Sequence, residues 1–268
     1  MNRYKPVIPI HKKEDYEGMR KAGQLAAAAL DMLVNEAQPG VTTEHLDNRA
    51  FEFAMDHNAI PATLHYRGYK YSICTSINHV VCHGMPNQKP LKNGSILNID
   101  ITLIVDGWHG DTSRTIPIGN IPTKAARLLD ITYNALYKGI EVVRPGATTG
   151  DIGHAIQTYG ESERCSIVKD FCGHGLGRQF HTPPNILHYG RKGEGITLEE
   201  GMFFTIEPML NLGKPDVKIL KDGWTAVTRD KALSAQFEHS IAVTKDGYEI
   251  FTNSPGGWQH QYLTKESG

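Results

Sequence analysis

The stretch PGVTTEHL (residues 39–46) recurs further along the chain as PGATTGDI (residues 145–152), 106 residues later. A second pair of stretches repeats at an offset of 107 residues: LKNGSILNID (residues 91–100) and LEEGMFFTIE (residues 198–207). Two matches in the same order at almost the same offset indicate an internal duplication. The sequence therefore predicts a single domain over residues 1–268, built from two similar halves at about 12–118 and 119–250.

Each half begins with two helical segments. Residues 12–36 are rich in Ala, Leu, Glu and Lys and precede a Pro-Gly pair, which ends a helix. Thr42 or Thr43 then caps a second helix through residue 56. In the second half, residues 123–143 precede another Pro-Gly pair, and Thr148 opens a capping-box pattern with an acidic residue three positions later. We therefore predict two helices at the start of each half.

Strand signals follow the helices. Over residues 97–103 apolar and polar side chains alternate, as in a half-buried strand, and Asp106-Gly107 is a pair typical of a tight hairpin turn. Helices followed by antiparallel strands, twice over, predict an α+β fold. Its helices pack on one side of a curved antiparallel sheet.

Composition and charge exclude several classes of protein. Hydrophobic residues make up 40% of the chain and charged residues 21%, and the formal net charge of -1 leaves no basic excess for a nucleic-acid partner. The longest apolar stretch, residues 25–30, is too short for a membrane span, and the N-terminus lacks a secretory pattern. Four cysteines without a CxxC pair suit reduced thiols. We expect a cytoplasmic protein without membrane contact.

The predicted hairpin brings two carboxylates together. With a two-residue turn at Asp106-Gly107, Asp100 lies opposite Ser113, and Asp111 is its diagonal neighbour on the same face. Adjacent carboxylates repel each other unless one is protonated or a cation lies between them. Two solvated surface aspartates remain the alternative for this hairpin on its own.

The second half supplies more groups of the same kind. Glu207 occupies the repeat position of Asp100 in an apolar stretch, and a buried carboxylate must be neutralised, paired or bound to metal. Glu238 lies in residues 235–243, another alternating stretch that predicts a single strand, and His83 and His174 each precede a glycine. Each residue alone is more often structural. Together, four carboxylates with one or two imidazoles favour Mn, Fe, Co or Zn in a paired site.

The order of these motifs resembles the type I methionine aminopeptidases over nearly the whole chain. The resemblance rests on His83-Gly, Asp100, Asp111, His174-Gly-x-Gly, TIEPM (residues 205–209) and QFEH (residues 236–239). It implies the pita-bread fold, a pseudo-twofold arrangement of helices around a curved antiparallel sheet. It also implies five metal ligands, of which Asp111 and Glu238 are bridging: Asp100, Asp111, His174, Glu207 and Glu238. The catalytic residues implied are His83, His181 and Glu207.

The resemblance further implies a chemistry and a substrate. Two divalent ions of Co, Mn, Fe or Zn bind a hydroxide that attacks the scissile carbonyl, and Glu207 passes the proton of that water to the leaving amine. His181 and His83 stabilise the tetrahedral oxyanion and the departing nitrogen. The free α-amine binds the metal held chiefly by Asp100. The expected reaction is removal of the initiator methionine from nascent polypeptides at the ribosome, with a small second residue preferred, by a monomer.

A methionine side chain needs an apolar slot. By resemblance, the substrate-binding residues are Tyr66, Tyr69, Cys74, His83, Phe180, His181 and Trp224, although ordinary core packing explains Tyr66 and Tyr69 equally well. Two positions depart from the family pattern. Thr63 stands where bacterial relatives often have cysteine, and His79 replaces a common glutamate. Both departures concern the affinity of the pocket, whereas the five ligand positions are all present.

Three other functions compete with this one. Proline-specific aminopeptidases and prolidases share the fold and ligands but usually carry a long N-terminal domain, and only about 11 residues precede the first predicted helix here. An inactive pita-bread protein that binds RNA or another protein would have lost ligands. A structural metal site would hardly need four carboxylates. The spacing of 33 residues from His174 to Glu207 leaves no room for the insertion of type II enzymes, which favours type I. Because the sequence has no cysteine-rich N-terminal extension of the eukaryotic kind, we expect a bare bacterial-type core.

Overall fold

The computed structural model describes residues 7–260. Two α-helices, five strands and a short 3-10 helix (Tyr66–Gly68) form the first half of the chain: α1 (Asp15–Glu36), α2 (Thr43–Asp56), β1 (Ile60–Pro61), β2 (Cys74–Ile77), β3 (Val80–Cys82), β4 (Ser95–Val105) and β5 (Trp108–Ile118). The second half again starts with two α-helices, and ten strands follow them: α3 (Thr123–Ile140), α4 (Thr149–Ser162), β6 (Ser166–Ile167), β7 (Gly173–Gly175), β8 (Thr182–Ile186), β9 (Phe203–Ile206), β10 (Met209–Asn211), β11 (Val217–Ile219), β12 (Ala226–Thr228), β13 (Ser234–Gln236), β14 (His239–Thr244) and β15 (Gly247–Ile250).

The predicted helices are confirmed, with small differences at their ends. Thr42 caps α2 and Thr148 caps α4, the latter with the full capping box to Asp151. Helix α1 starts at residue 15 and not at 12, because the carboxylate of Asp15 accepts the N–H of Lys12 outside the helix. Helix α3 ends three residues earlier than predicted, at Ile140.

The duplication is visible in hydrogen bonds as well as in sequence. In the first half the N–H of Gly40 donates to the carbonyl of Leu91 (2.8 Å), and in the second half Gly146 donates to Leu198 (2.9 Å). Both glycines are left-handed, with φ of 94° and 86°, a conformation that glycine adopts without strain. The repeated Pro-Gly motif therefore fixes the same turn before the second helix of each half.

The strands form four hydrogen-bonded antiparallel groups. Strand β4 pairs with β1, β2 and β5, while the second half contains the order β15-β14-β9-β7-β8; two three-stranded groups, β13-β10-β6 and β11-β12-β3, complete the set. The hairpin register is as predicted, with Asp100 opposite Ser113 and the turn at Asp106-Gly107. The predicted single strand over residues 235–243 is wrong, because Phe237 and Glu238 cross between two groups and separate β13 from β14.

The helices cover the sheets on one side in each half. Helix α1 packs on β4 and β5 and buries a stripe at helical spacing: Met19, Ala22, Ala26, Leu30 and Leu33. Helix α3 packs with α4 in a second core over β9, β10 and β13. Each fully buried leucine contributes on the order of 1.5–3 kcal/mol to folding. Within residues 7–260, no helix combines the length and the apolar character needed to cross a membrane.

The two halves join where β5 meets the crossing segment at residues 236–240. The N–H of Glu238 donates to the carbonyl of Ser113 (3.0 Å), and the hydroxyl of Thr112 donates to the carbonyl of Glu238 (2.9 Å). Ser240 Oγ donates to the carbonyl of Asp111 (2.7 Å). This junction holds Asp111 of the first half beside Glu238 of the second.

Candidate active site

A cavity of about 550 Å³ opens at the junction of the two halves. This volume lies within the range of small-ligand sites. The cavity is lined by every residue that the sequence singles out for metal binding, catalysis or substrate binding: Tyr66, Tyr69, Cys74, His83, Asp100, Asp111, His174, Phe180, His181, Glu207, Trp224 and Glu238. Residues that are far apart in sequence therefore converge on one space.

One end of this cavity holds the carboxylates and His174. Ligand atoms of Asp111, His174 and Glu238 all lie within 4.8 Å of one another. The Nε2 of His174 is 3.5 Å from Asp111 Oδ2 and 3.7 Å from Glu207 Oε1. Asp100 lies on the neighbouring strand and lines the same space. The first half thus contributes two carboxylates, and the second half contributes two carboxylates and an imidazole.

The glycines on either side of His174 permit this approach. A Cβ atom at Gly173 would lie 2.3 Å from the carbonyl oxygen of Thr205, and one at Gly175 would lie 2.2 Å from that of Pro183. Strand β7 can therefore insert between β8 and β9 only with glycine at both positions. The side chain between them, His174, is the one that points its Nε2 toward the carboxylates.

Hydrogen bonds fix the orientation of the site groups. His174 Nδ1 contacts the carbonyl of Gly175 (3.2 Å), which assigns the proton to Nδ1 and leaves the Nε2 lone pair facing the carboxylates. Thr102 Oγ1 donates to Asp111 Oδ1 (2.6 Å), and Thr205 Oγ1 donates to Glu207 Oε1 (2.8 Å). Both threonines lie two positions from a candidate ligand on the same strand face.

Two residues besides Thr205 hold Glu207 by hydrogen bonds. Gln236 Nε2 donates to Glu207 Oε2 (3.2 Å). The N–H of Glu207 donates to Nε2 of His188 (3.1 Å), a histidine that is fully buried. The carboxylate of Glu207 and its backbone N–H are therefore both fixed by partners that the sequence alone did not identify.

Burial and mutual repulsion favour the protonated form of every carboxyl group in the site. Burial raises the pKa of Asp111 to about 7. Burial, together with the charge of Asp111, raises the pKa values of Asp100, Glu207 and Glu238 well above their ordinary range. Burial lowers the pKa of His174 to about 4, so its imidazole is neutral at neutral pH. The cluster therefore consists of four carboxyl groups and a neutral imidazole.

A divalent cation fits this donor set. Among residues 7–260, no lysine or arginine forms an ion pair with any of the four carboxylates. Oxygen and imidazole ligands bind such ions at about 2.0–2.2 Å, so two ligands of one ion lie at most about 4.4 Å apart. The ligand atoms of Asp111, His174 and Glu238 lie within 4.8 Å of one another, close to this limit, and the pair of His174 and Asp111 at 3.5 Å lies inside it. The uncompensated carboxylates and the neutral imidazole together form a site that suits metal ions.

Aromatic rings form the other end of the cavity. The rings of Tyr69 and Trp224 meet edge to face at 5.1 Å, and His83 contacts Trp224 at 6.1 Å. Phe180 contacts Tyr66 at 5.0 Å. The hydroxyl of Tyr69 donates to the backbone carbonyls of Ile73 and Gly84, so its ring and not its hydroxyl is available to a ligand. This end of the cavity is an apolar slot beside the carboxylates.

His181 is a partly solvent-exposed residue of the cavity wall beside His174. Its ring is 4.2 Å from that of His174, and its Nδ1 is 2.9 Å from the hydroxyl of Tyr66. Desolvation by the cavity walls and the neighbouring His174 lower the pKa of His181 to about 3. A neutral His181 that accepts from Tyr66 at Nδ1 carries its proton on Nε2.

The two positions that depart from the family pattern lie in different places. Thr63 lines the cavity, and its hydroxyl donates to the carbonyl of Tyr71 (3.0 Å). His79 does not line the cavity, and its carbonyl accepts the N–H of Thr228 (3.0 Å). Only the change at Thr63 can therefore alter the slot directly.

Sequence reasoning missed several residues of the cavity and its surroundings. Thr102, Gln236 and Cys82 line the cavity without having been singled out, as do Arg67 and Asp170 at other parts of its wall. Thr102 could have been found from strand alternation, because it lies two positions from the candidate ligand Asp100 and therefore on the same face of β4. The contacts of Gln236 and His188 with Glu207 arise from distant segments and leave no local signal.

Comparisons with known proteins agree with this geometry. Residues 17–245 match the Metallopeptidase family M24. The chain is 60% identical over 249 residues to the methionine aminopeptidase of Rickettsia prowazekii (strain Madrid E), covering 92% of this chain and 96% of that protein. The crystal structure of methionine aminopeptidase from Rickettsia prowazekii has a TM-score of 0.91 and 59% identity, covering 92% of this chain and 100% of that one.

A more distant likeness shows the fold alone. The prolidase from Pyrococcus furiosus has a TM-score of 0.72 at 20% identity, and the match covers 91% of this chain and 65% of that one. The prolidase therefore shares the fold of both halves of this chain, and it has additional length outside the match.

Proposed function

Because the chain belongs to metallopeptidase family M24, and within it to the bacterial-type methionine aminopeptidases, we propose that it removes the N-terminal methionine from peptides in a metal-dependent reaction. The observation that carries the proposal is the single cavity in which four buried carboxylates and His174 adjoin an apolar slot. The carboxylates suit the metal, and the slot suits an unbranched thioether side chain.

The site would hold two divalent ions of the Co, Mn, Fe or Zn class. Asp100, Asp111, His174, Glu207 and Glu238 supply oxygen and imidazole donors in the mixture that such ions accept. When bound, the ions would acidify water and polarise a carbonyl. Metal analysis of protein purified without added metal tests both the number and the identity of the ions.

Three side chains are placed for the proton transfer and the hydrogen bonds of the reaction. Glu207 is placed to take a proton from water and to release it to the departing amine, because Thr205 and Gln236 fix its two oxygens at the edge of the cavity. His181, with its proton on Nε2, can donate to an oxyanion that develops on the scissile carbonyl. His83, half-buried against Trp224, can donate to the departing nitrogen, which gains a free lone pair once the carbonyl carbon has become tetrahedral.

The slot accounts for the choice of methionine. Tyr69, Trp224 and Cys74 present apolar surface and no free hydroxyl to the side chain. A flexible thioether fills such an irregular slot better than a branched side chain does. Free chain ends would be selected because a neutral α-amine has a lone pair that could bind a metal ion held by the carboxylates, whereas the nitrogen of an internal peptide bond has none available.

We further propose that the substrates are nascent polypeptide N-termini with a small second residue, cleaved in the cytoplasm beside the ribosome by a monomer. The near-zero net charge supports the absence of a direct nucleic-acid partner. The abundance of new methionine-bearing chain ends at the ribosome supports the location.

We expect the purified protein to release methionine from Met-Ala-Ser and to leave Ala-Pro peptides intact. Chelator should abolish the release, and added divalent metal should restore it. The measurement is free amino acid by chromatography, with each peptide tested in both conditions. Preferential cleavage of Ala-Pro would favour a proline-specific aminopeptidase, and cleavage of neither peptide with metal present would contradict an enzymatic role.

Replacing Tyr66 by phenylalanine should lower kcat about fivefold and change KM much less. The substitution removes the hydroxyl that contacts His181 Nδ1 but keeps the ring, and one hydrogen bond contributes about 1 kcal/mol. The imidazole would then no longer be restricted to one tautomer. Steady-state kinetics on Met-Ala-Ser measure the effect. Tyr71→Phe, outside the cavity, is the control, and equal kinetics for both variants would exclude this role of Tyr66.

A further inference from the structure

The wall of the apolar slot depends on an irregular segment, residues 62–73, which we term the pocket loop. It connects β1 to β2 and carries Thr63, Tyr66 and Tyr69 into the cavity. Two of its residues, His65 and Arg67, adopt left-handed φ values of 65° and 48° although neither is glycine. Such a conformation costs about 1 kcal/mol or more per residue and persists only when surrounding contacts enforce it.

A buried carboxylate on helix α2 fixes the end of this loop. Asp47 Oδ1 accepts the N–H of Ser72 (2.7 Å) and the N–H of Ile73 (3.1 Å). Asp47 is 9% exposed, and it is not among the residues that line the cavity. Burial raises the pKa of Asp47 to about 6, so placing an anion here costs free energy that the two hydrogen bonds offset.

The two N–H groups lie next to the cavity wall. Ile73 precedes Cys74, which lines the slot and pairs with Asp100 across β2 and β4. The carbonyl of Ile73 accepts the hydroxyl of Tyr69 (3.1 Å). Asp47 therefore fixes the two peptide units directly before the one whose carbonyl accepts from Tyr69, at the point where β2 begins.

The duplicated half lacks this carboxylate. Asp47 corresponds to Gly153 on helix α4 in the alignment of the two repeats. A Cβ atom at Gly153 would lie 2.3 Å from the carbonyl oxygen of Tyr189, so that helix packs directly against the backbone. The side chain of Asp47 is therefore not a requirement of the repeated helix scaffold. It is present in the half that carries the pocket loop.

We propose that Asp47 is a positioning residue for the methionine slot, acting as a hydrogen-bond acceptor that holds the pocket loop in its cavity-lining conformation. The inference rests on the proposed function for its substrate, and it adds a residue outside the cavity to those that determine substrate affinity. The acceptor, and not the negative charge, carries the role, because a single oxygen atom receives both N–H groups.

The test compares three variants of the full chain on Met-Ala-Ser with metal present. Asp47→Ala should raise KM about tenfold and leave kcat within about twofold, because the loss leaves two buried N–H groups unpaired. Asp47→Asn keeps an oxygen at Oδ1 and should keep KM within about twofold of the wild type. Asp151→Ala is the matched control, since Asp151 also accepts two backbone N–H groups, from Thr148 and Gly193, in a part of the chain that does not line the cavity.

Hydrogen exchange supplies a readout that does not depend on turnover. In the wild type, the amides of Ser72 and Ile73 should exchange much more slowly than the amide of exposed Lys70. In Asp47→Ala, exchange should increase across residues 62–73 and remain unchanged in α1. If Ser72 and Ile73 exchange as fast as Lys70 in the wild type, the proposal is wrong even when Asp47→Ala fails to fold.

The possible outcomes distinguish a failure of the proposed function from a failure of the role of Asp47. A wild-type protein that releases no methionine contradicts the proposed function and the role of Asp47 in substrate affinity together. An active wild type in which Asp47→Ala and Asp151→Ala shift KM equally assigns Asp47 to general stability and overturns the inference. An increase of KM in Asp47→Asn equal to that in Asp47→Ala contradicts the acceptor role.

Discussion

Glu207→Ala is expected to lower kcat by roughly 10³-fold or more, because the variant loses both a candidate metal ligand and the group placed to transfer protons. General acid–base catalysis alone contributes about 10²–10⁴-fold. The carboxylate is oriented through both oxygens, by Thr205 on one side and Gln236 on the other. No neighbouring residue in the described cavity duplicates that arrangement, so we expect no replacement base.

The fold should survive this substitution. Glu207 lies just beyond β9, and its backbone N–H remains paired with His188 when the side chain is shortened. Removal of one of four mutually repelling buried carboxyl groups also relieves a desolvation cost in the metal-free protein. The free energy of unfolding without metal should therefore stay close to that of the wild type, or rise.

Three measurements complete the test of Glu207. Kinetics on Met-Ala-Ser with saturating metal give kcat, urea unfolding reports the fold, and calorimetry reports metal uptake. Glu207→Gln keeps the shape and one oxygen ligand, so it separates loss of the base from loss of the metal. Glu199→Ala, at an exposed position before the same strand, should behave as the wild type. Near-normal turnover of Glu207→Ala with metal present would refute the proposed role.

Local signals in the sequence accounted for the helices and the central hairpin. The threonines at 42 and 148 cap helices because each has an oxygen that accepts a free N–H three residues later. The Asp106-Gly107 turn fixes the register of the hairpin, since both residues adopt the left-handed conformations that a two-residue turn requires. These features depend on a few adjacent residues, which is why a single sequence reveals them.

The rest of the site depends on contacts between distant segments. Glu238 lies at a break between two strands, where it bridges to Ser113 on β5; alternation of apolar and polar residues predicted one continuous strand there. Asp47 contacts a loop 25 residues away in sequence. No periodicity encodes such contacts, because they are set by how the loop packs on the helix.

The duplicated halves explain how such a concentration of charge can form. Asp100 and Glu207 occupy equivalent repeat positions, so the fold places one carboxylate from each half near the junction. The halves then diverge: the first extends the pocket loop, and the second supplies His174 between two glycines. Symmetry thus supplies the ligand scaffold, and the departures from symmetry supply the substrate slot and the imidazole.

The raised pKa values of the four carboxyl groups predict a metal affinity that increases steeply with pH. Metal ligands must be deprotonated to bind. Burial raises the pKa of Asp111 to about 7 and those of the other three carboxyl groups well above their ordinary range. Metal uptake near pH 6 must therefore displace protons.

The sign follows from the protonation states. As pH falls through the raised folded-state pKa values, the metal-free site binds protons and competes with the metal, so affinity falls. His174 and His181 add little over this range, because their pKa values of about 4 and about 3 leave them neutral with or without metal. We expect the Kd for Mn²⁺ to decrease about tenfold per pH unit, for each proton released, between pH 5.5 and 7.5.

Calorimetric titration of metal-free protein in two buffers of different ionisation enthalpy counts the protons that Mn²⁺ displaces at each pH. Asp111→Asn is the informative variant, because it removes the carboxyl group with a pKa of about 7 and should reduce both the affinity and its slope against pH. Asp31→Asn, which alters a half-buried carboxylate that is already paired with Arg114, should leave the slope unchanged. An affinity for Mn²⁺ that does not vary between pH 5.5 and 7.5 would mean that the four carboxylates do not act together as a metal site, since protons and cations would then not compete for the same oxygens.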